Sequence, residues 1–240
     1  MKAMILAAGR GERMRPLTDT CPKPLLKVRS RPLIIWHILN LVRAGITEIV
    51  INHAHLGHMI EEALEDGSRF GARIAYSPEE QALETAGGIA LALPLLGTEP
   101  FVAIAADIYC PHFDFSQVTN ALEDNDMWGN PHSVEKRDAA WLYLVNNPPH
   151  NPNGDFALTT YTVVNEGETR YTFSGIGVYR PELFSGITPG ASAKLAPLLR
   201  EYASCGRVGG EVYRGEWTDV GTLERLELLN RPLRSTKQET

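Results

Sequence analysis

Residues 1–18 read MKAMILAAGRGERMRPLT, a mostly apolar run that turns abruptly into a loop rich in glycine and arginine. The apolar part is short and ends at glycine, which predicts a buried β-strand. The loop after it carries Arg10, Arg13 and Arg15 and almost nothing that a core would bury. Because ligands of open α/β sheets bind at the carboxyl ends of strands, this stretch predicts a ligand site as well as a strand.

Strands and helices alternate in the residues that follow, over about the first 110 positions. The predicted strands are 1–7, 47–53, 73–78 and 101–107, and the predicted helices are 32–44, 57–67 and 86–97. Such alternation predicts a parallel sheet with helices on both faces. The predicted fold class is therefore α/β, with a Rossmann-like, mostly parallel sheet flanked by helices.

The second half of the chain has a different pattern. Strands are predicted at 141–147, 156–164, 169–179 and within 209–222, and helices at 194–204 and 222–230. This half predicts a smaller, β-rich lobe. Residues 123–138 are polar and predict a surface loop or a frayed helix, and residues 231–240 predict a flexible tail. Since no Ser/Gly-rich linker separates the halves, we predict one domain over 1–230, with halves at about 1–110 and 111–230.

Composition narrows the classes of function. The chain has 240 residues, 43% of them hydrophobic, and a net charge of −6, which is unlike a general nucleic-acid binder. Its three cysteines are scattered, as is typical of reduced thiols in a cytoplasmic protein. No run of about 18 apolar residues is present, so no membrane span is predicted. We predict a cytoplasmic protein that is a monomer or small homo-oligomer. The acidic net charge is still compatible with a local cationic pocket for a phosphorylated small molecule.

The glycine-arginine loop favours phosphate binding. Gly9 and Gly11 permit backbone conformations that point successive N–H groups toward an anion. Further on, Lys23 stands between Pro22 and Pro24, which restrict the backbone on both sides. The glycine pair alone is equally well explained by a tight turn. It is neither a Walker A loop nor the three-glycine dinucleotide motif.

The longer pattern resembles the sugar-1-phosphate nucleotidyltransferase family. The resemblance begins at residues 7–13, 16–18 and 22–25, which read AAGRGER, PLT and PKPL. It continues to about residue 230 through 51–54 (INHA), 66–71 (DGSRFG), 154–156 (GDF), 194–200 (KLAPLLR) and 219–225 (DVGTLER). It implies that the first half binds a nucleotide and that the second half binds a sugar phosphate. The triphosphate is assigned to Ala8, Gly9, Gly11, Glu12, Arg13 and Lys23, with catalytic roles for Lys23 and Arg13.

Within this family, the likeness is to enzymes that use UTP and N-acetylmuramate 1-phosphate. It implies uridylyl transfer in the recycling of cell-wall (peptidoglycan) sugars. Two enzymatic alternatives stay open: GTP with mannose 1-phosphate, and UTP or dTTP with glucose 1-phosphate. The non-enzymatic alternative is a regulatory subunit that binds a nucleotide sugar. Such a subunit is expected to lack the lysine or a metal-binding aspartate, and this chain has both kinds of residue.

Two aspartates are candidate metal ligands. Asp107 ends an apolar strand, and Asp219 stands at a comparable strand end in the stretch WTDVG. Each has a structural alternative, since aspartate also caps helices and forms turns. The resemblance assigns both to Mg²⁺, which binds to one or two protein carboxylates together with substrate phosphates.

The resemblance assigns the base to Glu79, Gly87 and Gly88. The two glycines are predicted to open a helix, so that their N–H groups face a ligand. Glu79 is predicted to accept a hydrogen bond from uracil, and a solvated loop residue is the alternative. A separate cluster, His53, His55 and His58, is compatible with zinc, but no cysteine lies nearby and partly exposed polar side chains are the favoured interpretation.

The sugar phosphate is assigned to Ala105, Asp155, Glu168 and Lys194. Lys194 begins a helix, where a cation is unfavourable to the helix dipole unless it serves a ligand. A hairpin turn is the alternative for Asp155, and a surface position is the alternative for Lys194. Ala105 stands where the family pattern has asparagine, a change that bears on the choice of acceptor sugar.

Overall fold

The computed structural model describes residues 1–122 and 138–231. The surface loop predicted at 123–138 lies outside the described residues except for Asp138, and the tail predicted at 231–240 lies outside them except for Arg231. No helix in the described ranges combines the length and the apolar character that crossing a bilayer requires.

Strands and helices are numbered in chain order over the described residues. The strands are β1 Lys2–Leu6, β2 Lys27–Val28, β3 Arg31–Pro32, β4 Glu48–His53, β5 Arg73–Pro78, β6 Phe101–Ala105, β7 Ile108–Tyr109, β8 Ala140–Val145, β9 Phe156–Thr159, β10 Thr162–Val164, β11 Arg170–Tyr179, β12 Val208–Val212 and β13 Thr218–Asp219. The helices are α1 Leu17–Thr20, α2 Leu33–Arg43, α3 Gly57–Leu64, α4 Glu84–Leu96, α5 Leu195–Ser204 and α6 Leu223–Asn230.

Nine of these strands form one sheet in the order β5-β4-β1-β6-β11-β8-β12-β10-β9. The first four are parallel to one another, as the alternating pattern predicted. Beyond β6 the sheet becomes mixed, because β11 runs antiparallel to both β6 and β8. The prediction of a mostly parallel sheet is therefore right for the first half and wrong for the whole. In the second half β9 and β10 form a hairpin, whereas β12 runs parallel to β8, so both pairing directions occur there.

The β-rich second half is continuous with the first. The register between β6 and β11 pairs Ala103 with Gly177 and Val102 with Val178. One uninterrupted sheet therefore runs through both halves that the sequence pattern distinguished.

Helices cover both faces of the sheet, as predicted. Along β1, Ala3 and Ile5 belong to one buried cluster, and Met4 belongs to another on the opposite face. This division follows from the alternation of side chains along a strand. Helices α2 and α3 contribute to the first cluster, and α4 and α5 contribute to the second.

Two predicted boundaries differ from the structure near the cavity described below. Helix α4 begins at Glu84 and not at residue 86, so the two glycines lie inside it. The strand predicted at 156–164 is a hairpin of β9 and β10, in which Thr159 pairs with Thr162. Its turn contains Thr160 at φ 56° and carries no glycine, so the usual sequence signal of a hairpin is absent.

Candidate active site

A cavity of about 990 Å³ opens at the carboxyl end of β1 and β6. Most of the predicted site residues line it, namely Ala8, Gly9, Gly11, Glu12, Arg13, Lys23, Ala105, Asp107, Asp155, Lys194 and Asp219. The four that do not line it are Glu79, Gly87, Gly88 and Glu168. The structure thus brings the first loop, both aspartates and the second-half candidates to one place, and their roles there stay predictions.

The glycine loop leaves β1 with unpaired backbone donors. Within the described residues, the N–H groups of positions 8–11 have no protein acceptor. Gly11 has φ 72°, and a Cβ at this position would lie 2.9 Å from Thr18 Cγ2 and 3.3 Å from Lys23 Cβ. Any other residue would be strained and crowded there. Gly9 does not have a positive φ, and a Cβ there would meet open space. The prediction of a left-handed conformation therefore holds at Gly11 alone.

The three arginines of this loop have different surroundings. Arg13 lines the cavity. Arg10 contacts the carbonyl of Thr18, the His55 ring and Asp19, and Arg15 pairs with Asp19 at 2.9 Å. Arg10 and Arg15 therefore contact neighbouring parts of the loop, and Arg13 is the one of the three that lines the cavity.

Lys23 lies inside the cavity wall and pairs with a predicted metal ligand. Its side chain is 9% exposed, and Nζ lies 2.5 Å from Asp107 Oδ2. Pro22 and Pro24 flank it at the start of a short 3₁₀ turn, so the backbone that carries it is restricted as the sequence predicted. Since the Asp107 side chain is 39% exposed, the pair is open to the cavity from the aspartate side.

Backbone pairing brings the two aspartates together. Asp107 lies in the turn between β6 and β7, and Asp219 ends β13. Strands β7 and β13 pair antiparallel, with Asp219 opposite Ile108. In addition, the N–H of Val220 donates to the carbonyl of Asp107 at 2.8 Å. Both aspartates therefore lie on the same edge of the sheet as the glycine loop.

The Asp219 carboxylate is held on one oxygen. Arg225 Nη1 donates to Oδ2 at 2.9 Å, and His150 Nε2 lies 3.2 Å from the same oxygen. Among the described residues, Oδ1 is buried without a hydrogen-bond partner. A Cβ on Gly221 would lie 2.7 Å from Oδ1 and 2.9 Å from Arg13 Nη2. An unpartnered carboxylate oxygen at the cavity wall is a group that a cation would satisfy.

Glu79, Gly87 and Gly88 lie behind the cavity wall and not on it. The N–H of Gly87 donates to the carbonyl of Ala193 at 3.1 Å, so the prediction that this donor is free is wrong. Glu79 is 6% exposed, and its two carboxylate oxygens accept hydrogen bonds from Asn52 and from the N–H of Leu83. The cavity surface in this region is formed instead by Asn52, Ala82, Glu84 and Thr85. The segment before α5 covers Gly87, since a Cβ there would lie 2.3 Å from the carbonyl oxygen of Ala191, and Gly88 packs on Glu79 and Asn52.

Two candidates from the second half reach the cavity. Asp155 is fixed by hydrogen bonds from the N–H of Phe173 at 2.8 Å and from Asn151 Nδ2 at 3.2 Å. Lys194 is the N-cap residue of α5, and its exposed side chain lines the cavity. Glu168 is exposed on the connection between β10 and β11 and does not line the cavity, so it is not part of this site.

Ala105 lies against a bulge in β11. The register of β11 shifts between Phe173 and Ile176, and Gly175 in this bulge has φ 85°. A Cβ on Gly175 would lie 2.9 Å from the Cβ of Ala105. Ala105, Ser174 and Gly175 all line the cavity, so this wall presents small side chains.

A buried histidine lies beneath the metal-site candidates. His37 Nε2 donates to the carbonyl of Ile108 at 3.0 Å, and Nδ1 is buried without a partner in the described part of the chain. Burial lowers the pKa of His37 to about 4. The imidazole is therefore neutral near pH 7 and supports the backbone next to Asp107.

The three histidines that the sequence analysis considered as zinc ligands have separate contacts. His53 Nε2 lies 2.7 Å from Glu61 Oε1, whereas His55 Nε2 donates to the carbonyl of Thr18 at 2.8 Å. His58 is exposed on α3. Over residues 1–122 and 138–231, no three His, Cys, Asp or Glu side chains are grouped as metal ligands.

Sequence reasoning missed several residues of the site. His150, Asn151 and Arg200 line the cavity, and Arg225 holds Asp219. Arg225 stands in the stretch DVGTLER, whose resemblance was noted without a role for the arginine. His150 lies in a loop with no periodic pattern, so only the fold reveals that it is near Asp219.

Comparison with known proteins agrees with this geometry. Residues 2–130 match the family model described as nucleotidyl transferase. A Neisseria meningitidis protein named N-acetylmuramate alpha-1-phosphate uridylyltransferase is 54% identical over 231 residues, which are 95% of this chain and 96% of the relative. A protein of the same name from Caulobacter vibrioides is 31% identical over 228 residues, 91% of each chain.

A solved structure matches in fold. The Bacillus anthracis protein named as a glucose-1-phosphate thymidylyltransferase, crystallised with sucrose, superposes with a TM-score of 0.80 at 23% identity, over 96% of this chain and 94% of that chain. The regulatory-subunit alternative has no such support, because these relatives are named as enzymes. The chain is therefore a member of the nucleotidyl transferase family and an enzyme of that class.

Proposed function

We propose that this enzyme transfers a uridylyl group from UTP to N-acetylmuramate 1-phosphate, in the cytoplasmic recycling of cell-wall sugars. One observation carries the reaction class: a loop of unpaired amides, Lys23 and two adjacent aspartates all face one cavity. The choice of UTP and of this sugar is supported by a relative of that name, which matches nearly the whole chain at 54% identity.

The reaction is an in-line displacement at phosphorus. An oxygen of the sugar 1-phosphate forms a bond to the α-phosphorus of UTP. The bond from that phosphorus to the bridging oxygen of the β-phosphate breaks, and its electron pair leaves with pyrophosphate. Negative charge accumulates on oxygens throughout, so fixed donors and cations are the groups that accelerate the step.

Each part of the first loop has a place in this step. The free N–H groups of positions 8–11, which include that of Gly11, bind the triphosphate together with Arg13 at the cavity wall. Lys23 is restricted by its prolines, and its ammonium neutralises charge that develops at the α-phosphate. Glu12 lines the same wall and pairs with Arg10 at 3.4 Å and with Arg15 at 3.7 Å.

Asp107 and Asp219 fit a divalent cation, which we take to be Mg²⁺. The fit rests on the buried Oδ1 of Asp219, which has no partner among the described residues, and on the backbone pairing that places Asp219 opposite Ile108, next to Asp107. Oxygen ligands of this kind suit Mg²⁺ when substrate phosphates and water complete its shell. When bound, the ion would withdraw charge from the phosphate oxygens.

The acceptor sugar binds on the side of the second half. Asp155 is oriented by Phe173 N–H and Asn151, which leaves a fixed acceptor for sugar hydroxyls. Lys194 offers a cation to the sugar phosphate. Ala105 and Gly175 present small side chains on this part of the cavity wall.

A substrate panel tests the proposal. Purified enzyme is assayed for pyrophosphate release with UTP, GTP and dTTP, each crossed with the 1-phosphates of N-acetylmuramate, N-acetylglucosamine, mannose and glucose. We expect the highest kcat/KM for UTP with N-acetylmuramate 1-phosphate. A preference for GTP with mannose 1-phosphate, or for glucose 1-phosphate, would replace the substrate assignment and keep the reaction class. Absence of release from every pair would contradict both.

Removal of metal tests the role of the aspartates. We expect EDTA to abolish pyrophosphate release and Mg²⁺ to restore it. Asp219→Asn keeps the shape of the side chain, so it should need a higher Mg²⁺ concentration for half-maximal activity. Asp114→Asn is the control, because Asp114 does not line the cavity and its carboxylate accepts a hydrogen bond from the N–H of Ser116. Activity of the wild-type enzyme that survives EDTA would contradict the metal assignment.

A further inference from the structure

A chain of buried hydrogen bonds connects two walls of the cavity. It begins at the end of β1, where the N–H of Ala7 donates to Asn52 Oδ1 at 2.9 Å. Asn52 lies on β4 and is 3% exposed. Because the oxygen of the Asn52 amide is used by Ala7, its nitrogen must point the other way. The start of the glycine loop is therefore held by a side chain from the neighbouring strand.

The second and third links pass through Glu79. Asn52 Nδ2 donates to Glu79 Oε1 at 2.6 Å, and Glu79 Oε2 accepts from the N–H of Leu83 at 2.8 Å. Leu83 directly follows Ala82 and precedes Glu84 and Thr85, which line the cavity. Ala7, Asn52, Glu79 and Leu83 thus form a continuous relay from the phosphate-binding loop to the segment 82–85.

Gly88 makes room for the relay. A Cβ at position 88 would lie 2.6 Å from Glu79 Oε1 and 2.7 Å from Asn52 Nδ2, the two atoms that form the central hydrogen bond. Helix α4 therefore packs its backbone directly on this bond. A glycine in the middle of a helix normally lowers stability, so its presence here indicates that the bond beneath it is needed.

We infer that Asn52 and Glu79 are positioning residues. They hold the phosphate-binding loop and the segment 82–85, which we assign to the base of the nucleotide, in a fixed position relative to each other, so that both can contact one nucleoside triphosphate. The inference rests on the proposed function for the identity of the nucleotide. Asn52 also lines the cavity, whereas Glu79 does not. Glu79 is buried behind the wall, and it acts through Asn52 on Ala7 and directly on Leu83.

The direction of each hydrogen bond supplies the test. Asn52→Asp keeps the acceptor for Ala7 but sets two carboxylate oxygens against each other. Glu79→Gln cannot satisfy both Asn52 Nδ2 and Leu83 N–H, because one of its two terminal atoms is now a donor. In the double variant N52D/E79Q, the new amide nitrogen at position 79 donates to the new carboxylate at position 52, and the amide oxygen accepts from Leu83. All three bonds and the net charge are then restored.

The readouts are nucleotide affinity by calorimetry and the unfolding midpoint, for wild type, both single variants and the double variant. UTP, GTP and dTTP are all titrated, and the tightest is used for the variants. We expect each single variant to bind this nucleotide at least roughly tenfold more weakly, since a buried polar group is left unsatisfied. The double variant should recover to within about threefold of wild type.

Asn40→Asp is the matched control. Asn40 is also buried, and its Nδ2 donates to the carbonyl of Pro111 at 3.1 Å, but it does not line the cavity. It should lower the unfolding midpoint and leave nucleotide affinity unchanged. If the single variants lose stability but bind the nucleotide like wild type, the relay only stabilises the fold and the inference is wrong. A double variant no better than the singles would also overturn the inference.

The same titrations separate failure of the relay from failure of the proposed function. Wild-type binding of GTP or dTTP in preference to UTP would contradict the proposed donor and still test the relay with the nucleotide that binds. Wild-type binding of none of the three would contradict both.

Discussion

At the scale of single residues, surroundings decide what each charged group can do. Arg10, Arg13 and Arg15 are chemically identical, yet Arg13 lines the cavity while the other two contact Asp19 and their neighbours. Lys23 differs from Lys27 in the same way, since Lys23 is buried beside Asp107 and Lys27 is exposed on β2. Function therefore follows burial and partners, and not the presence of positive charge alone.

Replacement of Lys23 tests its role at the α-phosphate. Lys23→Ala should lower kcat roughly 10²–10³-fold, the cost typical of a lost donor to developing negative charge. Lys27→Ala should leave kcat near the wild-type value. Turnover is measured by pyrophosphate release, with circular dichroism to verify folding. Normal turnover of Lys23→Ala would exclude the lysine from the chemistry.

His37 predicts a dependence of stability on pH. Its pKa is lowered by burial to about 4, below the ordinary value of 6.5, so the unfolded chain binds more protons between these values. The free energy of unfolding should therefore fall as pH drops from 6.5 toward 4, with a contribution from His37 of about 3 kcal/mol.

Urea denaturation at several pH values measures this dependence. In His37→Gln the slope of unfolding free energy against pH should become shallower over this interval. His112→Gln is the control, since the His112 side chain is 75% exposed, and it should keep the wild-type slope. An unchanged slope in His37→Gln would show that the histidine titrates normally in the folded protein.

At the scale of elements, contacts across the fold override local preference. By helix propensity alone, Gly88 in α4 should be less favourable than alanine by about 1 kcal/mol. A Cβ there would instead meet Glu79 and Asn52 at 2.6 and 2.7 Å. We expect the cost of these close contacts to exceed the gain in helix propensity, because Glu79 and Asn52 are both fixed by buried hydrogen bonds. Close packing therefore requires glycine at position 88, although glycine is the weaker helix former.

Gly88→Ala tests which effect is larger. It should lower the free energy of unfolding by about 1–3 kcal/mol, the usual cost of overpacking a core. Gly186→Ala is the comparison, since a Cβ there has nothing within 4 Å, and it should stay within about 1 kcal/mol of wild type. Urea denaturation provides both values, and a stabilised Gly88→Ala would contradict the close packing of α4 on the relay.

At the scale of the whole molecule, one sheet carries both halves of the site. β11 joins the parallel strands of the first half to the β-rich second half by pairing with β6 and β8. This arrangement places Asp155 and Lys194 on the same cavity as the glycine loop. The core beneath it is continuous, so groups buried there should open to solvent only when the whole domain unfolds.

Cysteine labelling tests this protection. Cys110 is buried, and burial raises the pKa of its thiol to about 12, whereas Cys205 is exposed. In native protein, iodoacetamide should modify Cys205 within minutes and leave Cys110 unmodified until urea unfolds the domain. Peptide mass spectrometry identifies the modified residues. Rapid labelling of native Cys110 would indicate local opening next to β7.

The sequence was most informative where the signal is local. The strand, the glycine loop, Lys23 between its prolines and the helices of the first half are set by neighbouring residues, and the structure has them close to the predicted positions. The resemblance also identified Asp107 and Asp219, which the fold brings together through β7 and β13. The start of α4 was missed by two residues, and this small error moved Gly87 and Gly88 from the expected ligand surface to the helix interior.

By itself, the sequence determined the class of the fold, the position of the glycine loop and the family, because these depend on patterns within short stretches. Only the tertiary structure decided that the sheet is mixed, that Arg225 and His150 surround Asp219, and that Glu79 lies under Gly88 instead of facing a base. These features depend on which distant segments pack together. Strand register and the direction of buried hydrogen bonds arise from that packing, and no run of adjacent residues encodes them.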